Sequence, residues 1–232
     1  MTSAPEPALI LCAHGTRDPH GQEVIKAVAQ AARAALGVDV RLAYVDVQEP
    51  TIADVVAGVA RSGEVPRAVV VPFLLAGGYH VHVDIAEATA DRPDVAVSTP
   101  MGPDPRLTAI LLDRIAQAGV APGTALVMSP AGSSDARSAR DSERVLHDLD
   151  RQWDGPVRIG YASGIEPTVA QAVAASREAG AERVAVASYL LAPGVFQRSL
   201  SRAGADLVTA PLAPDERIVE IIAERYRDAG GA

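Results

Sequence analysis

His14, Asp46 and His80 are side chains of the kind that bind and release metal ions, and each has an inert counterpart elsewhere in the same chain. The segment 9–18, LILCAHGTRD, recurs as 126–135, LVMSPAGSSD, at an offset of 117. The same offset pairs 40–51, VRLAYVDVQEPT, with 157–168, VRIGYASGIEPT, and a one-residue deletion later 72–78, PFLLAGG, pairs with 188–194, SYLLAPG. Duplicated halves begin with the same scaffold requirements, so residues present in both copies serve the fold. Residues polar in one copy and inert in the other are candidates for chemistry. The comparison singles out His14 (Ala131), Asp46 (Ser163) and His80 (Phe196), and it demotes Gly15, Asp18, Glu49, Pro50 and Thr51, which recur as Gly132, Asp135, Glu166, Pro167 and Thr168. Two imidazoles and a carboxylate make a mid-affinity site for iron, cobalt, nickel or zinc. A neutral imidazole also accepts a proton near neutral pH.

The elements that must position these groups alternate between strand and helix. Residues 8–13 form a short continuous apolar run, as in a strand buried on both faces. Val24, Ile25, Val28, Ala31, Ala32, Ala35 and Leu36 then recur at helical spacing up to Gly37. Further strands are expected over 39–46, 68–75 and VAVST, with Thr51 capping one helix, a short helix near 84–90, and a closing helix behind Asp104-Pro105. Pro72 suggests a bulge or an early strand end. The order repeats with strands near 125–129, 156–161, 183–191 and 206–209. We therefore expect an α/β fold of two similar three-layer domains with parallel sheets, related by a pseudo-twofold, with a cleft between them. The boundary falls in GVAPGT, giving domains 1–121 and 122–232; a single continuous sheet is the alternative.

In such sheets ligands bind beyond the carboxyl ends of the strands, and His14, Asp46 and His80 all fall there. In the loop AGGYHVHVD, Gly77 and Gly78 let the backbone pass close to a ligand or adopt positive φ. His82 is a secondary ligand candidate: it shares a face with His80 if the segment is extended and diverges from it if helical. Ser133-Ser134 lacks the spacing of a nucleotide loop.

Composition excludes several classes. The net charge of −8 argues against nucleic acid as partner, and no apolar run approaches the length of a membrane span. One cysteine, Cys12, permits no internal disulfide, reads as an apolar filler of the first strand, and agrees with a cytoplasmic location. The start, MTSAPEPA, lacks the order of a signal peptide and reads as a short disordered lead.

The AHGTRDP start, YVDVQEPTI and PFLLAGGYHVHVDI resemble the CbiX/SirB family of class II sirohydrochlorin chelatases, in its long, two-domain form. The resemblance implies a chelatase-like fold and insertion of Fe²⁺ or Co²⁺ into sirohydrochlorin, for siroheme or cobalamin. His14 and His80 match the family's two active-site histidines, and Asp46 falls where the family usually has glutamate. No organic cofactor is implied; the divalent metal is a substrate. Sirohydrochlorin carries eight carboxylates, for which Arg17, Arg198 and Arg202 are candidate partners, while Phe196 and Val195 offer apolar surface to a flat macrocycle. The second half is then a scaffold without its own metal site, and the chain is expected to act as a monomer. A metal or tetrapyrrole carrier without catalysis is the alternative function. A histidine phosphatase reading of AHGT fails because Ala13 stands where its arginine is required.

Overall fold

The apolar run at the start becomes β1 (Ala8–Ala13), every residue of it buried, in a computed structural model of the chain. The structure describes residues 6–60 and 67–231, so the first five residues of the expected lead lie outside it. Leu9, Ile10 and Leu11 have no exposed surface, and each contributes about 1.5–3 kcal/mol relative to an exposed side chain. Helix α1 (Pro19–Leu36) begins where the Asp18 carboxylate accepts from the backbone N–H groups of His20 and Gly21. It stops at Gly37, whose φ of 73° suits glycine and whose N–H donates to the Arg33 carbonyl. Its buried stripe shares Val24, Ile25, Val28 and Ala32 with the period read from the sequence and adds Ala29, while Ala31 and Ala35 are exposed.

The first sheet adds β2 (Val40–Tyr44), β3 (Ala68–Phe73) and β4 (Val95–Val97), all parallel, in the order β2-β1-β3-β4. Helix α2 (Ile52–Ala57) opens on a capping box between Thr51 and Asp54, and a π-helical turn, Val81–Ile85, runs into α3 (Ala86–Thr89). Ile52, Val56 and Ile85 pack with Ile10, Cys12 and Val70 on one sheet face. Pro72 does not interrupt β3. The Val70 and Leu74 carbonyls accept from Ser98 and Met101 on the β4 side. Pro72, in phase with them, directs its missing N–H to that same side, where β4 has already ended at Val97.

The second sheet repeats the arrangement with β5 (Ala125–Pro130), β6 (Val157–Ile159), β7 (Val184–Tyr189) and β8 (Leu207–Val208), all parallel, in the order β6-β5-β7-β8. Helices α5 (Ala136–Asp150), α6 (Val169–Glu178) and α7 (Val195–Leu200) correspond to α1, α2 and the π-turn with α3. The demoted residues serve the frame twice: Asp135 caps α5 as Asp18 caps α1, and Thr168 caps α6 as Thr51 caps α2.

The packing units differ from the sequence halves. One unit comprises residues 1–101 with 216–232, the other residues 102–215. Helix α4 (Pro105–Gln117), which closes the first half in sequence, packs on α5 and β7. There the Arg114 guanidinium donates to the carbonyls of Pro211, Leu212 and Pro214. Helix α8 (Glu216–Asp228), which closes the second half, packs on α1 and β3, and its Tyr226 hydroxyl donates to the Pro7 carbonyl. Packing thus divides the chain at 101/102 and 215/216, whereas the sequence led us to expect one boundary at 121/122. Each closing helix carries a one-sided apolar stripe, and such a stripe does not specify which sheet it covers.

Candidate active site

Strand β1 ends directly before His14, and the chain must then turn sharply at Gly15. Gly15 has φ 96°, and a Cβ there would collide with the Asp46 carbonyl oxygen. The adjoining loop is held by Val45 N–H donating to the Ala13 carbonyl and Asp46 N–H to the His14 carbonyl, both at 3.0 Å. Gln48 closes it from the far side, its Oε1 accepting from Thr16 N–H at 2.7 Å. His14 is fixed by its backbone, and its ring stays half-buried.

His80 arrives from β3 through the glycine loop. The Gly78 carbonyl accepts from Val81 and His82 N–H groups, so the helix starts at Gly78. Neither Gly77 nor Gly78 is among the described glycines with positive φ; of the two uses expected of them, the left-handed turn is not made, because the chain enters a helix here. The helix brings His80 against His14, with ring centroids 4.7 Å apart and planes at 85°. Four residues on, the Asp84 carboxylate lies 2.6 Å from His80 Nδ1. An ionised carboxylate can only accept, so the contact places a proton on Nδ1, and in the neutral imidazole the lone pair is then on Nε2. The pKa of His14 is lowered by burial first and by the neighbouring His80 second, with smaller opposing pulls from the Gly15 carbonyl, Asp46 and Asp84.

The other expected residues are placed differently. Asp46 is exposed, and its Oδ1 accepts from Val47 N–H at 2.8 Å in a local turn. Among the described residues no three His, Cys, Asp or Glu side chains converge as a metal-holding set, so the expected triad with Asp46 is not assembled. His82 is exposed, because on a helix residues two apart diverge. Arg17, beside His14 in sequence, is exposed; Arg198 is exposed in the other unit. Phe196 is half-buried and packs against the core of the second sheet, which includes Leu200 and Val186, while Val195 is 64% exposed. Cys12 is buried, and burial, aided by Asp84, pushes its thiol up to about 12, which keeps it inert.

Asp84 and Gln48 are the residues that reading the sequence passed over. Both satisfy its own criterion: Asp84 aligns with Leu200 and Gln48 with Ile165 in the second copy. The i,i+4 spacing of His80 and Asp84 was a second signal, legible only once the segment is known to be helical. Asp84→Asn is expected to lower turnover on the order of 10–100-fold with the thermal midpoint unchanged, because the amide no longer enforces the Nδ1–H form. Asp84→Glu should recover part of the loss. Steady-state rates for the two variants check this, and wild-type turnover in the asparagine variant would dismiss Asp84 as a positioning residue.

The sequence model of the CbiX family matches the chain twice, over residues 8–118 and 125–229. The chain is 28% identical to the sirohydrochlorin cobaltochelatase of Methanopyrus kandleri, over 48% of this chain and 96% of that one. The Methanothermobacter thermautotrophicus protein of the same name is 27% identical over 49% of this chain and 94% of its own. About half of this chain therefore accounts for nearly the whole of each relative, as the internal duplication requires. Among solved structures, SirB from Bacillus subtilis with Fe³⁺ has a TM-score of 0.75 at 20% identity, covering 97% of this chain and 96% of that one. CbiX, the terminal enzyme of siroheme biosynthesis in denitrifying bacteria, has a TM-score of 0.69 at 21% identity, covering 96% and 99%. These two likenesses concern the fold.

Proposed function

The chain belongs to the CbiX family, and from that premise we propose that it is a sirohydrochlorin chelatase, inserting Co²⁺ or Fe²⁺ into the free macrocycle. The observation that carries the reading is the imidazole pair, His14 against His80, with Asp84 holding His80 Nδ1. The relatives' names support the substrate, and a SirB structure from Bacillus subtilis subspecies spizizenii in complex with cobalt supports the metal.

Insertion replaces two pyrrolic protons by one divalent cation, so the site must strip water from the metal and accept two protons. His80, held through Nδ1 by Asp84, presents Nε2 to the macrocycle and is the proton acceptor, passing the first pyrrolic proton to solvent before taking the second. His14, whose proton affinity is lowered, stays neutral and is the exchangeable metal contact. Two imidazoles without a third strong ligand hold a metal loosely enough to pass it on. The exposed Arg17, three residues from His14, is available to a substrate carboxylate. The same reading puts the protein in the cytoplasm as a monomer, with the macrocycle and the metal as its partners. No helix among the described residues is long and apolar enough to cross a membrane.

Anaerobic mixing of the protein with sirohydrochlorin and Co²⁺ tests this, followed by loss of the free-base absorption. Several turnovers per chain, above the uncatalysed rate, are expected; a single stoichiometric change would mark a carrier instead. The pH profile carries the sign. Because the pKa of His14 lies below the ordinary histidine value, its neutral form persists below about pH 6.5. The rate should therefore hold from neutrality to about pH 6.5 and fall at lower pH as His14 takes up a proton. A profile flat down to about pH 5 would hand proton acceptance to a carboxylate.

A further inference from the structure

Among the described residues, Val47 is the one non-glycine with positive φ, at 50°. A β-branched side chain is poorly suited to the left-handed region. The chain builds the same loop again with glycine at that place, Gly164 at φ 83°. The two loops agree bond for bond: Val45 to Ala13, Asp46 to His14 and Gln48 to Asp46 are answered by Ala162 to Pro130, Ser163 to Ala131 and Ile165 to Ser163. The loop geometry favours glycine, yet the half with the imidazole pair carries valine, 40% exposed. Backbone strain of this kind gathers where a ligand is met.

A second observation comes from the other side of the pair. Tyr79 is 53% exposed, and its ring centroid lies 5.8 Å from that of His80 at 86°. Val47 Cγ2 lies over Gly15, 3.0 Å from where a Cβ would stand. Neighbour by neighbour the row runs Tyr79, His80, His14, Gly15, Val47. Two exposed apolar side chains thus bracket the two groups assigned to metal and proton transfer.

We propose that Val47 and Tyr79 are the macrocycle-contacting residues of this site, gripping the apolar face of the tetrapyrrole and centring its four nitrogens on the imidazole pair. The inference rests on the tetrapyrrole reading above. Its chemistry suits the substrate, whose ring face is apolar and whose carboxylates lie at the rim. Valine at a glycine position then serves binding at the expense of backbone comfort, and the second half, with Ala131 and Phe196 in place of the histidines, carries glycine there.

Val47→Gly separates the two effects, since it relaxes the backbone while removing the contact. Its thermal midpoint should rise by roughly 2–4 °C. Its KM for sirohydrochlorin should rise on the order of five- to tenfold, as expected for losing one apolar side-chain contact. Co²⁺ binding without tetrapyrrole, measured by titration calorimetry, should match wild type, and Tyr79→Ala should raise the same KM. A Val47→Gly protein with wild-type KM would overturn the proposal and leave the chelatase reading standing. Loss of stability together with Co²⁺ affinity would make Val47 a structural brace and overturn it too. Wild-type protein that converts no sirohydrochlorin would overturn both readings.

Discussion

His14→Ala and His80→Ala are each expected to lower the proposed Co²⁺ insertion by about two orders of magnitude or more, with a thermal midpoint close to wild type. The size follows from what an imidazole does as general base and transient ligand, typically 10²–10⁴-fold for the proton transfer alone. The fold survives because neither ring is a core element. Both are half-buried, and the contact of His14 Nδ1 with the Gly15 carbonyl, at 3.4 Å, is too long to matter for stability. The molecule also contains its own control. The loop after β5 carries Ala131 at the position of His14, and Ser163 N–H still reaches the Ala131 carbonyl at 2.8 Å, as Asp46 N–H reaches that of His14 at 3.0 Å. Removing His80 leaves Asp84 about one-third exposed, so no charge is stranded in the core. Initial rates and thermal denaturation of the two variants check this. A variant retaining more than about a tenth of wild-type turnover would remove its histidine from the site.

Gly15→Ala is expected to destabilise the protein by roughly 3 kcal/mol or more, the largest stability effect of any single methyl added at the candidate site. Two penalties combine there. At φ 96° an L-residue is strained, and the new Cβ meets the Asp46 carbonyl oxygen. That carbonyl cannot retreat: it accepts from Gln48 N–H at 2.6 Å, and its own residue's N–H is tied to the His14 carbonyl. Gly37→Ala isolates the conformational part, since Gly37 has φ 73° and nothing within 4 Å of an added Cβ. It should lose only about 1 kcal/mol. Denaturant unfolding of the two variants side by side checks the difference; equal losses would refute the collision.

The amino-acid sequence by itself determined the elements and singled out the two histidines as candidates. An all-apolar run of six residues suits only a strand covered on both faces, and β1 is that strand. A 3.6-residue stripe ending at Gly37 prescribes α1, and Asp18 and Thr51 carry the acceptors that helix starts need. Comparing the copies found His14 and His80 because a duplicated frame keeps what folding requires and lets the rest drift. Tertiary structure decided which groups meet. Asp84 reaches His80 only because residues after Gly78 wind into a helix, and that same winding turns His82 away. Phe196, read as a surface for the macrocycle, turns partly into the core of the second sheet. Helices α4 and α8 pack outside their own sequence halves, and Val47 is held in a left-handed turn that nothing in its type announces. The division has one physical origin. Period, caps and breakers act within a few residues and are written locally. Which face an apolar stripe covers, and which side chains then touch, depends on surfaces distant in sequence that exist only after the sheets have formed.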